Sequence, residues 1–255
     1  MAQKAEPMES KAIPFNPQSI HVVSDIHLEF YPLKSLTERE EVPVWSHLFP
    51  APDPQALLIL AGDIVIWRYG SGLKATSPVM NVLKWLSPRF GAVVYVPGNH
   101  EFYRGVTGGY YEQKLLGLLT DAGLTNVYLL QNSEAVFGGS LRVLGSTFWT
   151  DMDKGSPLFE TRIARLQGAP SAYNDLNYIR HTDDQKKHFP RLRVSHVRSM
   201  HQQARSFLQE ALEKPFAGQT WVITHHLPSP RLIAPEWQAD WRSPAYASHA
   251  PCVST

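Results

Sequence analysis

Short apolar runs separated by longer amphipathic stretches set the pattern of this chain. The runs occupy residues 20–24, 57–61, 92–96, 127–130, 141–145 and 221–224. Each is four or five residues long, rich in leucine or β-branched residues, and bounded by turn formers. Runs of this length and composition are typical of buried β-strands rather than helices.

Helical periodicity fills several of the intervening stretches. Residues 79–85, 111–119 and 196–212 carry apolar side chains at spacings of three and four, which predicts three amphipathic helices. Strand and helix therefore alternate, and this favours an α/β fold with parallel strands early in the chain. Around Gly138 and Gly139 two strand-like runs follow each other directly, which predicts an antiparallel hairpin.

Two segments lack a regular pattern. Residues 150–195 are rich in Asp, Arg, Lys and His with scattered prolines, and their length predicts a lid-like, substrate-side insertion. Residues 1–18 are predicted to form a flexible N-terminal tail. The remainder, 19–255, is expected to be a single domain, because its 43% hydrophobic content can bury one sizeable core.

The charge balance limits the classes of binding partner that we expect. The chain has 24 basic and 23 acidic residues, so its formal net charge of +1 gives no general attraction to nucleic acid or membranes. The single cysteine, Cys252, excludes an internal disulfide and fits a reducing compartment. No apolar run approaches the roughly 18 residues of a membrane span, and the first 18 residues lack the apolar core of a signal peptide. We therefore expect a cytoplasmic protein whose oligomeric state the sequence does not define.

Polar side chains follow the ends of four predicted strands. Asp25 and His27 follow the first, and they would point to the same side if the extended geometry persisted. Asp63 follows the second; alone it is more often a turn or helix cap. Neither signal is specific by itself.

The third and fourth strand ends add to this set. Asn99 and His100 follow residues 92–96, and His225 and His226 follow residues 221–224. In an open α/β sheet the ligand site lies beyond the carboxyl ends of the strands, so all these residues are expected around one crevice. Carboxylate and imidazole ligands without thiolate select ions of the Mn, Zn, Fe or Ni type. Two such ions can promote an in-line phosphoryl displacement.

Four ordered motifs resemble the calcineurin-like metallophosphoesterase family. They are SDIHLEF, LAGDIVI, VPGNHEFY and VITHHLPSP, and the agreement is closest to bacterial and phage-type members. VLGSTFWTDM and AYNDLNYI also resemble that subgroup, so the likeness spans about 20–246. It implies a four-layer αββα sandwich of two mixed β-sheets and a phosphate-ester substrate.

The resemblance also implies a dinuclear metal site. Asp25 and His27 would bind the first ion, Asp63 would bridge, and Asn99 and His225 would bind the second. A hydroxide shared by the ions would attack phosphorus. His100 would act outside the metal coordination, protonating the leaving oxygen or stabilising its charge.

One family motif, GHxH, is absent from the sequence. Each ion of the family takes an imidazole from it, so we expect a member that is shortened at its C-terminus and has an incomplete fold there. His249 is a weak candidate replacement ligand, and His226 is a second candidate beside His225. An alternative function is therefore an inactive metal- or phosphate-binding remnant.

A nuclease of the same family is a further alternative. The balanced charge disfavours it, because binding to a phosphate backbone usually requires a basic patch. One local cluster is basic, although a solvated loop face explains it better: Lys186, Lys187, Arg191, Arg193 and Arg198.

Overall fold

The computed structural model describes residues 11–32, 43–67, 72–166, 173–182 and 189–249. The strands are β1 (Lys11–Ile13), β2 (Ser19–Val23), β3 (Asp53–Ala61), β4 (Phe90–Val96), β5 (Val106–Thr107), β6 (Val127–Leu129), β7 (Ser133–Phe137), β8 (Leu141–Ser146), β9 (Arg180–His181) and β10 (Gln219–Thr224). The helices are α1 (Pro78–Leu86), α2 (Tyr110–Asp121), α3 (Met152–Gly155), α4 (Pro157–Arg165), α5 (Asp175–Tyr178) and α6 (Val194–Glu213). The single turn α3 has positive φ angles.

Two four-stranded sheets form the centre. The first has the order β2-β3-β4-β6, and all its neighbouring strands are parallel. The second has the order β1-β7-β8-β10 and is mixed, because β7 and β8 are antiparallel. The turn between them contains Gly138 and Gly139 at φ 56° and 69°, which confirms the predicted hairpin. β5 and β9 pair separately.

The apolar core is divided among three interfaces, one between the two sheets and one between each sheet and the helices that cover it. Alternating side chains of β3 face opposite ways: Leu57 and Ile59 contact the second sheet, whereas Leu58 and Leu60 pack beneath α1 and α2. On the far side, α6 covers β8, with Leu144 against Leu208 and its neighbours. This arrangement is the predicted four-layer αββα sandwich.

Part of the predicted N-terminal tail is a strand. β1 pairs in parallel with β7, and its Ile13 is only 6% exposed. The prediction of a flexible tail is therefore wrong for residues 11–13. The three-residue strand has no periodicity of its own, because it forms only against a partner more than a hundred residues away. Residues 1–10 and Cys252 lie outside the described part.

The segment 150–195 contains four of the short elements. α5 and β9 are tied to the loop after His100, since the Arg104 N–H donates to the Tyr178 carbonyl at 2.8 Å and the Arg180 N–H to the Gly105 carbonyl at 3.0 Å. Residues 167–172 and 183–188 lie outside the described part, and the role of this segment as a lid stays a prediction. Among the described helices, none is both long and apolar enough to cross a bilayer.

Candidate metal centre at the strand ends

The carboxyl ends of β2, β3, β4 and β10 meet at one edge of the sandwich, where the two sheets approach each other. His225 Nδ1 lies 3.1 Å from the Ala61 carbonyl oxygen, and the Thr147 hydroxyl donates to the Pro97 carbonyl at 2.7 Å. The candidate residues after these strand ends are Asp25, His27, Asp63, Asn99, His100 and His225. The structure therefore brings all six to the same region.

The backbone turns sharply where these side chains enter the site. Asp25, His27 and Asp63 have φ angles of 53°, 51° and 53°, in the left-handed region that non-glycine residues seldom adopt. Their loops are held together, because the Asp25 N–H donates to the Gly62 carbonyl at 3.0 Å and the His27 N–H to the Asp63 carbonyl at 2.9 Å. β2 ends at Val23, so the condition under which Asp25 and His27 would point to the same side, extended geometry through both, is not met.

Two glycines allow the loops to pack this closely. A Cβ atom at Gly62, where φ is +91°, would overlap the His225 ring. A Cβ atom at Gly98 would overlap the Asp63 carboxylate. At both positions the absence of a side chain lets neighbouring strand ends converge.

Asp63 is shared by two compact groups of side chains that could hold a metal ion. One group is His27, Asp63 and His100, and the other is Asp25, Asp63 and His225; within each, the ligand atoms lie within 4.8 Å of one another. The two oxygens of Asp63 face different rings, with Oδ2 3.7 Å from His27 Nε2 and Oδ1 3.4 Å from His225 Nε2. A shared carboxylate of this kind suits a bridging ligand. The resemblance pairs Asp25 with His27, whereas here each lies in a different group.

When His225 is neutral, Asn99 and His225 present two acceptor atoms to each other. Asn99 Nδ2 donates to Asp175 Oδ1 at 2.8 Å, so its Oδ1 faces His225 Nε2 at 3.1 Å. His225 Nδ1 must donate to the Ala61 carbonyl, since a carbonyl can only accept, and the Nε2 of a neutral His225 is then a lone pair. A positive charge at this position, either a proton or a metal ion, removes the conflict. These two atoms therefore also fit as ligands of a divalent cation.

The local electrostatics favour the same conclusion. Burial opposes the charged form of His225, but the hydrogen bond and charge of Asp63 outweigh it and raise the pKa of His225 to about 9. Burial likewise opposes the ionisation of Asp63, yet its hydrogen bond and Coulomb attraction to His225 hold the pKa of this carboxyl below its ordinary range. The site thus holds a buried negative charge that stabilises a cation beside it.

Glu29 joins the two histidines of the other group. Its Oε1 accepts from His100 Nδ1 at 2.7 Å and lies 3.1 Å from His27 Nδ1, and its side chain is 6% exposed. Burial opposes ionisation of Glu29, but these hydrogen bonds lower its pKa. The Nε2 atoms of His27 and His100 therefore face away from Glu29. Sequence reasoning missed Glu29, although it lies in SDIHLEF two residues after His27.

Sequence reasoning also missed Glu101, which fixes the loops after β3 and β4 relative to each other. Its fully buried carboxylate accepts from the backbone N–H groups of Asp63 at 2.9 Å, Ile64 at 2.8 Å and Gly98 at 2.8 Å, and from the Tyr95 hydroxyl at 2.8 Å. Burial raises the pKa of Glu101 to about 7. In the sequence, the signal that could have identified Glu101 is its position directly after His100, in the motif that follows the apolar run 92–96.

The weaker candidates lie elsewhere. His226 is 3% exposed, stacks on Trp149 at 5.4 Å and belongs to neither metal-binding group; burial lowers its pKa to about 3. The backbone N–H of His249 donates to Asp151 Oδ2 at 2.7 Å, and His249 also lies outside these groups. Arg198 pairs with Glu160 at 2.9 Å.

The described remainder of the basic cluster lies on the surface. Arg191 and Arg193 are exposed, and Lys186 and Lys187 lie outside the described residues.

Comparisons with known proteins agree with this geometry. The family model for calcineurin-like phosphoesterases matches residues 19–248. A solved structure described as phosphopantetheinyl hydrolase (PptH) from Mycobacterium tuberculosis is similar, with a TM-score of 0.52 and 16% identity, over 92% of this chain and 82% of that chain. At this identity the likeness shows the fold alone. No curated protein matches the chain significantly in sequence.

Proposed function

Because the chain belongs to the calcineurin-like phosphoesterase family, we propose that it hydrolyses a phosphate ester at a two-ion site centred on Asp63. The family supports a metal-dependent phosphoester hydrolase in general. The two-ion arrangement and the roles of single residues are proposals from the site of this chain.

One observation carries the proposal most directly. Asn99 Oδ1 and His225 Nε2 are 3.1 Å apart, and hydrogen bonds on the far side of each group make Asn99 Oδ1 an acceptor and leave a lone pair on Nε2 when His225 is neutral. Such a pair is unfavourable when buried unless a positive charge lies between the two atoms, either a proton on Nε2 or a metal ion. The same pair is a suitable half of a coordination shell for Mn, Zn, Fe or Ni.

The remaining ligands are assigned from the position of Asp63. We assign Asp63 as the bridge, with Asn99 and His225 at one ion and Asp25 and His27 at the other. His27 and His225 face different oxygens of Asp63, which supports separate ions. When bound, the two ions would supply Lewis acidity toward phosphoryl oxygens and lower the pKa of water.

His100 is the side chain placed to handle the leaving group. Its Nδ1 bonds to Glu29, which leaves Nε2 for a substrate oxygen, and its ring is 21% exposed. Burial opposes the charged form of His100, but the hydrogen bond to Glu29 and the charges of Asp63 and Glu29 outweigh it and raise the pKa of His100, so the protonated form persists nearer neutral pH. We propose that His100 donates a proton to the departing oxygen or stabilises its negative charge.

The test compares the chain with Asp63→Asn. Metal-free protein is titrated with Mn²⁺ or Zn²⁺, and turnover is measured on aryl phosphate monoesters and diesters. We expect two ions per chain, with both bound much more weakly in Asp63→Asn and turnover reduced by at least about 10²-fold. Asp121→Asn, at an exposed position of α2, is the matched control.

The outcomes separate the alternatives. Equal retention of both ions in Asp63→Asn contradicts the bridging assignment. Two bound ions without turnover of any ester favour the inactive metal-binding alternative, and cleavage restricted to DNA favours the nuclease.

A further inference from the structure

Asp175 connects the irregular segment 150–195 to the metal centre. It begins α5 and is 1% exposed. Its Oδ1 accepts from Asn99 Nδ2 at 2.8 Å and from the Tyr103 hydroxyl at 2.9 Å. Asn99 and Asp175 are 76 residues apart in the chain, so the contact comes from tertiary folding.

The contact with Asn99 determines which atom of the amide faces the centre. An asparagine amide has an oxygen and a nitrogen of nearly equal size, and rotation by half a turn exchanges them. The rotated form would direct an NH₂ donor at the cation position beside His225 and bring the amide oxygen to the Asp175 carboxylate. Because Asp175 Oδ1 accepts a hydrogen bond, it favours the orientation in which Asn99 Oδ1 is available as a ligand.

The contact with Tyr103 connects Asp175 to the group that contains His100. The Tyr103 ring stacks on His100 with centroids 4.1 Å apart and an interplanar angle of 21°. The hydroxyl bond to Asp175 fixes this ring, and the ring limits the tilt of His100. One buried carboxylate is thus in contact with a proposed metal ligand and, through Tyr103, with the proposed proton donor.

We propose that Asp175 is a positioning residue that sets the amide orientation of Asn99 and the ring position of Tyr103. The role at the second ion rests on the proposed function, whereas the orientation of Asn99 does not require a metal. The described part of segment 150–195 therefore contributes to the centre by ordering residues of the strand-end loops, and none of its residues belongs to the two candidate ligand groups.

The first experiment needs no metal. In metal-free, ¹⁵N-labelled protein, the side-chain amide of Asn99 is assigned by comparison with Asn99→Ala. We expect two well-separated proton signals with slow solvent exchange, because Nδ2 is buried and hydrogen bonded. In Asp175→Ala these signals should broaden or exchange at least about 10-fold faster, since the only acceptor described for Nδ2 is gone.

The second experiment measures the ions one at a time. Titration with Mn²⁺ should show one binding step losing about 10- to 100-fold in affinity in Asp175→Ala, the range typical when a partner of a metal ligand is removed, while the other step changes less than about 3-fold. Asp121→Ala is the exposed control and should match the unmodified chain in both experiments.

Milder variants guard against a failure to fold. Asp175→Asn keeps an acceptor oxygen but adds a competing donor, so its effect on the Asn99 signals should be intermediate. Tyr103→Phe keeps the carboxylate and should leave those signals unchanged while lowering kcat more than it raises KM.

Two outcomes would overturn the proposal. One is an unchanged Asn99 amide in a folded Asp175→Ala, and the other is an equal loss of both ions in every Asp175 variant. If the Asn99 signals change as expected but the unmodified chain binds no second ion, the positioning by Asp175 stands and the proposed function fails.

Discussion

At the scale of single residues, the site depends on hydrogen bonds made by the far side of each candidate side chain. His225 is oriented by the Ala61 carbonyl, and His27 and His100 contact the same oxygen of Glu29. These partners determine which ring nitrogen remains for a metal or substrate. The residue types at the strand ends are thus only part of the chemistry.

Removal of the His100 imidazole should slow turnover without removing metal. We expect His100→Ala to lose about 10²- to 10⁴-fold in kcat, the usual effect of losing a general acid. The loss should shrink for esters with acidic leaving groups, which depart without protonation. A series of aryl phosphates of varied leaving-group pKa measures this. A constant ratio across the series would argue against proton donation and leave charge stabilisation, and loss of bound ion would make His100 a ligand.

Glu112 should make stability depend on pH. It is a buried residue of α2, and burial raises its pKa from 4.5 to about 7, although hydrogen bonds from nearby backbone groups oppose this. The folded protein therefore binds the proton more tightly than the unfolded chain. The stability linked to this proton is fully present below about pH 4.5 and is lost as pH rises through about 7.

Glu112→Gln should remove this dependence. Relative to the unmodified chain, its free energy of unfolding should rise between pH 4.5 and 7 and then remain higher, by on the order of 1 to 3 kcal/mol. Urea unfolding of metal-free protein at several pH values checks this. Glu210→Gln, at an exposed position of α6, corrects for the loss of one charge. Parallel curves for Glu112→Gln and the unmodified chain would refute the assignment.

At the scale of elements, the site exists because strands from two sheets end together. β3 and β4 belong to the first sheet and β10 to the second, and the loops after these strands pack with almost no space between them. Gly62 and Gly98 permit this packing, and the buried Glu101 binds the backbone of the loops after β3 and β4. Loop geometry is therefore as restricted here as in a protein core.

A methyl group at Gly98 should disturb this packing. In Gly98→Ala the new Cβ would overlap the Asp63 carboxylate, so Asp63 must shift. We expect a loss of about 1 to 3 kcal/mol in stability and at least about 10-fold in metal affinity.

Gly117→Ala is the matched control for this change. Gly117 lies within α2 with nothing within 4 Å of a new Cβ, so the substitution should stabilise the protein by about 0.5 to 1 kcal/mol. Thermal melts and metal titration of both variants give the comparison. Normal metal affinity in Gly98→Ala would show that the loops can relax.

At the scale of the whole molecule, both sheets have an open end. β2 and β10 are terminal strands, and no described strand pairs with their outer edges. Val22 on β2 is 52% exposed and Val222 on β10 is 41% exposed, whereas Leu57 and Leu58 of the neighbouring β3 are fully buried. Unpaired apolar strand edges promote association between chains.

A charged residue on this edge should reduce association. We expect concentration-dependent self-association of the chain, and a clear decrease in Val22→Lys with a change in stability below about 1 kcal/mol. Leu158→Lys is the control, because Leu158 is 85% exposed on α4, away from any strand edge. Sedimentation at several concentrations distinguishes the variants. Equal association of Val22→Lys and the unmodified chain would place the contact elsewhere.

The sequence by itself determined most of the strands, the longer helices and the hairpin, because burial imposes a local periodicity that a short window displays. It also indicated which residues gather at the strand ends, since parallel apolar strands bring the residues after their carboxyl ends to one edge of the sheet. The family motifs supported the same set, from Asp25 to His225.

Only the tertiary structure decided the features that depend on distant partners. β1 forms against β7, and the left-handed backbone at His27 is stabilised by a bond to the loop after β3. Glu29, Glu101 and Asp175 acquire their contacts from neighbours in space, and a lone carboxylate in a sequence carries no periodic signal of its own. Hydrogen bonds between loops are specific in geometry but independent of sequence separation, so they become visible only once the chain has folded.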